Sequence, residues 1–220
     1  MRKIIPVALA SVAILGAASA HAQSTDVATG AYVGIAGGVA NADFGAPSGV
    51  YRTTLVGPIA QSADERDAAW RAIAGYRFGR TFGVELSVGR LGEFEFVSRG
   101  TNSGRVTARV DMDAVTALAY AAWPLTPAWE VYTGAGVAVT RTRARAAATG
   151  GALFQVGERA DRRLTEVLPD VQLGTRFRVR ERWTTSLAVE AIPGVGATRG
   201  RNAMGDADVY SCHVALSYRF

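Results

Sequence analysis

The sequence predicts an all-β protein, an eight-stranded antiparallel up-and-down transmembrane β-barrel, on three observations. First, apolar and polar residues alternate in eight stretches between Gly30 and Phe220, and period two is the strand period because successive side chains point to opposite faces. Second, Phe78, Phe82, Trp129, Phe177, Trp183 and Phe220 stand beside short turns or at the last residue, where a membrane barrel carries an interfacial girdle. Third, the connecting segments run long, short, long, short, long, short, long. An even-stranded barrel with both termini on one side must produce that order. A soluble meander supplies alternation but gives no reason for the rings to line up.

The chain opens on a secretory signal. Arg2 and Lys3 are basic, Ile4 to Ala18 is apolar apart from Ser11, and Ala20-His21-Ala22 places small residues where a signal peptidase reads them. Cleavage is expected before Gln23, with Ala18-Ser19-Ala20 as a second site. The apolar run is shorter than the roughly 20 residues of a spanning helix. Residues 1–22 are thus read as signal peptide and 23–220 as one barrel domain, exported to a Gram-negative outer membrane.

The strands follow in order. Gly30 to Ala40 puts Ala31, Val33, Ile35 and Val39 on one face and Tyr32, Gly34, Ala36 and Gly38 on the other. Asn41 to Asp67, with its Gly, Pro, Ser and Asp signals, reads as a loop. Ala68 to Phe78 turns Trp70, Ala72, Ala74, Tyr76 and Phe78 outward, and Arg71, Ile73, Gly75 and Arg77 inward. After the turn Gly79-Arg80-Thr81, Phe82 to Leu91 places Phe82, Val84, Leu86 and Val88 outward, with Glu85, Ser87 and Gly89 inward. Residues 92–104 read as a partly extended loop. Val106 to Ala122 is expected to turn Val110, Met112, Ala114, Leu118 and Tyr120 outward and Arg109, Asp111 and Asp113 inward. No strand continues through Pro124-Leu125-Thr126-Pro127.

Trp129 to Thr140 sends Trp129, Val131, Ala135, Val137 and Val139 outward, and Glu130, Tyr132, Gly134 and Gly136 inward. Arg141 to Arg163 reads as a third loop. Leu164 to Val179 sends Val171, Leu173, Phe177 and Val179 outward, and Glu166, Asp170, Gln172, Arg176 and Arg178 inward, with a bulge or local break expected at Pro169. Trp183 to Ala191 turns Leu187 and Val189 outward and Ser186 and Glu190 inward. After a fourth loop, residues 193–206, the last strand carries Tyr210, Cys212, Val214, Leu216, Tyr218 and Phe220 on its apolar face. Ser211, His213, Ala215, Ser217 and Arg219 lie on the other.

Composition narrows the class. The 220 residues allow one domain. Hydrophobic content is 49% while mean hydropathy is only +0.11, as expected when alternate residues face lipid. One cysteine, Cys212, excludes an intramolecular disulfide framework. The formal charge is +5, but the bases do not cluster with aromatics, so nucleic acid is not an expected partner. No pattern calls for a metal or cofactor.

Three motifs carry a resemblance: Gly30-Ala31-Tyr32-Val33-Gly34, Ala74-Gly75-Tyr76-Arg77-Phe78-Gly79 and Val214-Ala215-Leu216-Ser217-Tyr218-Arg219-Phe220. In order and spacing the chain resembles the small outer-membrane β-barrels that include the opacity proteins and the membrane domain of outer-membrane protein A. The resemblance implies that Tyr218 and Phe220 form the signal read by the barrel-assembly machinery. The peptidoglycan-binding domain that follows the barrel in outer-membrane protein A is not expected here. Fold alone does not settle function.

Three function classes remain. In the first, a structural or surface-interaction protein, charge pairs plug the lumen. Arg77, Glu85, Glu130, Arg176, Arg178 and Glu190 are the expected network, because charges removed from bulk water need partners. Four extracellular loops then meet any outside ligand. Arg141, Arg143, Arg145, Arg159, Arg162 and Arg163 are expected there, near outer-membrane lipid and lipopolysaccharide, whose phosphates suit the arginine fork. The second class is a narrow channel for small or apolar solutes, as in the outer-membrane protein W family, for which inward glycines leave space. The third, a lipid A-modifying enzyme, needs a nucleophile beside a base. Past the signal peptide the only histidine is His213, and Ser211 and Ser217 lie about 7 Å or more from it along a strand, so no enzyme is expected.

Overall fold

In a computed structural model the chain is described over residues 29–43, 60–101, 103–150, 152, 161–195 and 207–220. The expected signal peptide, with Ala20, Ala22 and Gln23, lies outside the described residues, as does Arg159. The strands are β1 (Gly30–Asp43), β2 (Ala60–Asp64), β3 (Arg66–Phe78), β4 (Phe82–Arg99), β5 (Arg105–Pro124), β6 (Trp129–Thr149), β7 (Asp161–Arg178), β8 (Trp183–Val195) and β9 (Ala207–Arg219). They pair in the order β2-β4-β3-β1-β9-β8-β7-β6-β5, and β4 also pairs with β5, which closes the sheet. Every ladder is antiparallel. Only Glu65 separates β2 from β3, and both lie against β4, so the runs make eight staves. The structure has the expected closed eight-stranded architecture. Three tight turns, 79–81, 125–128 and 179–182, define one end of it, the turn end.

The outward apolar residues of β1, β3, β6, β7, β8 and β9 are exposed, as their alternation requires: Ile35, Trp70, Val137, Leu173, Val189 and Val214 are examples. The six girdle rings are exposed as well, Phe220 at 71% and Phe82 at 62%. Exposed Trp123 joins them from the end of β5.

Several expectations need correction. Residues 92–104 are not a loop. β4 runs on to Arg99, and the connection to β5 tightens to a hairpin end in which the Gly100 amide donates to the Gly104 carbonyl at 2.9 Å. Residues 141–163 are mostly strand too, since β6 continues to Thr149 and β7 starts at Asp161. Arg141, Arg143 and Arg145 therefore lie on β6, and Arg162 and Arg163 on β7. The two outer loops also shrink: β1 reaches Asp43 and β8 reaches Val195. At Pro169 neither the strand nor its ladder to β6 breaks, and Pro169 sits opposite Val137. The β7–β8 ladder, by contrast, goes no further than Val171 opposite Ala191, two residues short of this proline, which has no N–H to donate.

The last correction is an inversion. Val110, Met112, Ala114, Leu118 and Tyr120 of β5 are buried in the lumen, while Arg109, Asp111 and Asp113 lie on the outer surface. The lipid face of β5 is the modest series Val115, Ala117, Ala119, Ala121 and Trp123. Reading the more hydrophobic face as the lipid face assumed a polar interior throughout. The loop-end half of this interior is instead an apolar core of Leu91, Phe94, Phe96, Val110, Met112, Ile192, Val195 and Val209.

A bulge makes that core possible. Arg90 pairs with Asp113, but Gly92 pairs with Met112, so Leu91 is one residue extra. One extra residue exchanges the two faces of everything beyond it. Before the bulge Glu85 and Ser87 point inward, and after it Phe94 and Phe96 do. Gly92 has φ +141°, a conformation that L side chains rarely adopt. The Asp67 carboxylate accepts the Glu93 amide at 2.6 Å, which holds the kink.

Candidate functional site: the closed lumen and its turn-end cavity

Below the apolar core the lumen becomes polar. Arg71 on β3 and Glu190 on β8 meet across it, two strands lying between theirs on the wall. The pair is bidentate: Arg71 Nη1 donates to Glu190 Oε1 at 2.6 Å, and Nη2 donates to Oε2. Their side chains are 7% and 1% exposed, so little water screens them. Ser211 Oγ donates to Glu190 Oε2 at 2.8 Å. Asp170 is fully buried and close enough to interact with Glu190 and Arg71, yet neither of its oxygens is hydrogen-bonded. Gln172 Nε2 and His213 Nε2 are 3.1 Å apart in the same region.

The next layer toward the turn end is built from tyrosines lying over glycines. Tyr32 is opposite Gly75, Tyr120 opposite Gly83 and Tyr132 opposite Gly174. At each of these glycines a Cβ would run into the ring of its tyrosine, so the missing side chain lets the ring lie across the lumen. Arg176 fills the space between the rings, its guanidinium carbon 4.2 Å from the Tyr120 centroid and 4.0 Å from that of Tyr132. Such cation–π contacts contribute about 0.5–2 kcal/mol each, more when desolvated. Arg176 also reaches Glu85 at 3.4 Å and Glu130 at 3.7 Å. Tyr32 donates its hydroxyl to Glu85 at 2.9 Å. Arg77 holds both oxygens of Glu130 at 2.8 Å and donates Nε to the Gly79 carbonyl at 3.0 Å.

The structure thus brings Arg77, Glu85, Glu130 and Arg176 into one network. It places Glu190 deeper, with Arg71. Among the described residues Arg178 pairs with no carboxylate, and it lines a cavity of about 120 Å³ at the turn end, together with Arg77, Arg80, Arg176, Arg219 and Glu130. The three tyrosines were not identified from sequence as part of the site. Their signal, an inward tyrosine opposite an inward glycine, exists only once the register is known. Arg109 and Asp111, expected in the lumen, form ion pairs on the outer wall instead: Arg109 with Glu95 and Asp111 with Arg90, each at 3.0 Å.

Ser211 serves Glu190, and His213 faces Gln172. Cys212 is exposed on the outer face. The terminal aromatics meet edge to face outside, Trp183 against Tyr218 at 5.1 Å and Tyr218 against Phe220 at 5.5 Å between centroids.

Residues 10–220 match the family model described as "Outer membrane protein beta-barrel domain". No curated protein matches the chain. Among solved structures, the chain is similar to Neisserial surface protein A (NspA), with a TM-score of 0.51 at 14% identity, covering 86% of this chain and 97% of that one. It is also similar to the outer membrane protein OprG from Pseudomonas aeruginosa, with a TM-score of 0.52 at 18% identity, covering 87% of this chain and 96% of that one. At these identities the likeness concerns the fold.

Proposed function

Since the chain belongs to the outer membrane protein β-barrel domain family, we propose that it is a structural or surface-interaction protein of the Gram-negative outer membrane, with a plugged lumen. One observation carries this reading: Arg176 of β7 is held between Tyr120 of β5 and Tyr132 of β6 and paired with Glu85 of β4 and Glu130 of β6, and Glu85 is also bound by Tyr32 of β1, so side chains from five strands meet in the lumen. Arg71–Glu190 and the apolar core stack behind it. Of the inward glycines expected to leave room for solutes (Gly34, Gly38, Gly75, Gly89, Gly134 and Gly136), Gly75 lies under the Tyr32 ring, while Gly34, Gly38, Gly89 and Gly136 lie close against the backbone of a neighbouring strand. In this reading the turn end faces the periplasm and the loops face outward. The arginines of β6 and β7 lie where they can meet lipopolysaccharide phosphates, and any outside ligand binds through the loops. The signal peptide directs export, and Tyr218 and Phe220 are read by the barrel-assembly machinery.

Conductance in planar bilayers tests the plug. The wild-type protein is expected to be silent. Glu130→Ala, which strands Arg77 and loosens Arg176, is expected to conduct intermittently and to unfold at lower urea. Glu181→Ala, in the turn 179–182, is expected to change neither. Steady wild-type conductance, unaltered in Glu130→Ala, would replace this reading with a channel for small solutes. For the assembly signal, Phe220→Ala is expected to reach the periplasm yet accumulate poorly in the outer membrane. Wild-type amounts of urea-resistant Phe220→Ala in outer-membrane fractions would remove that role.

A further inference from the structure

We propose that the turn-end cavity is a binding site for a small oxyanion of the phosphate class. It is about 120 Å³ in volume, and five guanidiniums but one carboxylate, Glu130, line it. Two of the five are accounted for: Arg77 holds Glu130, and Arg176 is paired with Glu85 and Glu130. The other three, Arg80, Arg178 and Arg219, lie within ion-pair distance of no carboxylate among the described residues. The Arg219 guanidinium makes one hydrogen bond among the described residues, to the Glu181 carbonyl at 2.7 Å, which leaves its charge uncompensated.

The register puts these groups on one arc of the wall. Arg178 is opposite Thr184, Thr184 is opposite Ser217, and Arg219 is opposite Tyr32. Thr184, Ser186 and Ser217 line the cavity with the guanidiniums. Neutral hydroxyl donors together with planar N–H forks suit a tetrahedral oxyanion, whose oxygens accept from several directions at once. Like charges crowded in a half-buried cavity repel, and a bound dianion removes that repulsion. The plug behind Arg176 means that the ligand is held at this end, not passed through. The cavity geometry does not depend on the plug being tight, so this inference stands apart from the conductance result.

Calorimetric titration of the folded barrel with inorganic phosphate, in a nonionic detergent at constant ionic strength set by chloride, tests the site. Saturable binding to one site is expected. Arg178→Gln and Arg219→Gln are each expected to weaken it roughly tenfold or more, the loss of one charge-assisted contact. Arg182→Gln, whose side chain instead donates to the Tyr218 hydroxyl outside the cavity, is expected to leave it unchanged. Circular dichroism and urea resistance identify any variant that fails to fold, and the folded member of the Arg178 and Arg219 pair then decides. Binding that persists in phosphatidylglycerol nanodiscs assigns the site to dissolved anions. Binding abolished there, but present in detergent, assigns it to lipid phosphate and still supports the site. Absence of saturable binding in detergent, or equal weakening by Arg182→Gln, overturns the proposal.

Discussion

Replacing Arg71 with methionine is expected to destabilise the folded barrel by about 3–5 kcal/mol, the usual result of removing one member of a buried ion pair. The loss falls on the carboxylate side. Glu190 is 1% exposed, and Asp170, equally buried, lies beside it without a hydrogen bond. Without Arg71 two carboxyl groups share a pocket that holds no cation. Glu190→Gln is expected to destabilise less, because the amide oxygen still accepts from Arg71 and Asp170 remains to balance its charge. Urea midpoints followed by tryptophan fluorescence give both values. If Glu190→Gln proves the worse of the two, Asp170 does not share the guanidinium.

Inserting one alanine between Glu93 and Phe94 is expected to prevent assembly, whereas Leu91→Ala is expected to fold with a loss of about 2–5 kcal/mol. Deleting Leu91 would only flatten the bulge, because Gly92 then follows Arg90 directly and Phe94 stays opposite Val110. The insertion instead gives β4 a second extra residue, so that Phe94 and Phe96 leave the core and Glu95 enters it. Each buried phenylalanine lost from a core costs about 3–5 kcal/mol, and a carboxylate buried without a partner adds to that. Folded yield in detergent-mediated refolding separates the outcomes. Equal yields from the insertion and the alanine variant would show that the number of residues past Arg90 does not set the face of β4.

Alternation made most of this architecture legible. The lipid faces of β1, β3 and β9 could be read in twos because their outward residues are apolar along almost the whole strand. β5 defeated the same reading. Its inward face, with Val110, Met112 and Leu118, is more hydrophobic than its lipid face of Val115, Ala117 and Ala119, and nothing local says which way a 20-residue strand faces. The bulge at Leu91 was hidden for a related reason, since a single inserted residue leaves both halves of β4 alternating correctly. In the candidate site, Arg77, Glu85, Glu130 and Arg176 were legible as inward charges near the turn end. Their partners depend on the stagger between staves, which is a property of the closed sheet. Arg71 and Glu190 show this most clearly, being 119 positions apart in sequence.

The uneven height of the wall bears on the order of folding. The four consecutive strands β4 to β7 have 18, 20, 21 and 18 residues, against 14 for β1 and 13 for β9. A strand of about 9–11 residues suffices to cross the bilayer, so the central strands carry roughly twice the pairing that crossing requires. They are also sequence neighbours, which makes their contacts cheap in chain entropy. The seam between β1 and β9 joins Tyr32 to Arg219 and is both short and maximally non-local. Non-local pairing slows folding because closure entropy is lost before the contacts form. The central hairpins therefore form a curved sheet early, and the first-to-last seam is the late step. Substitutions in the central ladders then act on the rate at which that sheet forms, while substitutions along the seam act on the rate at which the finished cylinder opens.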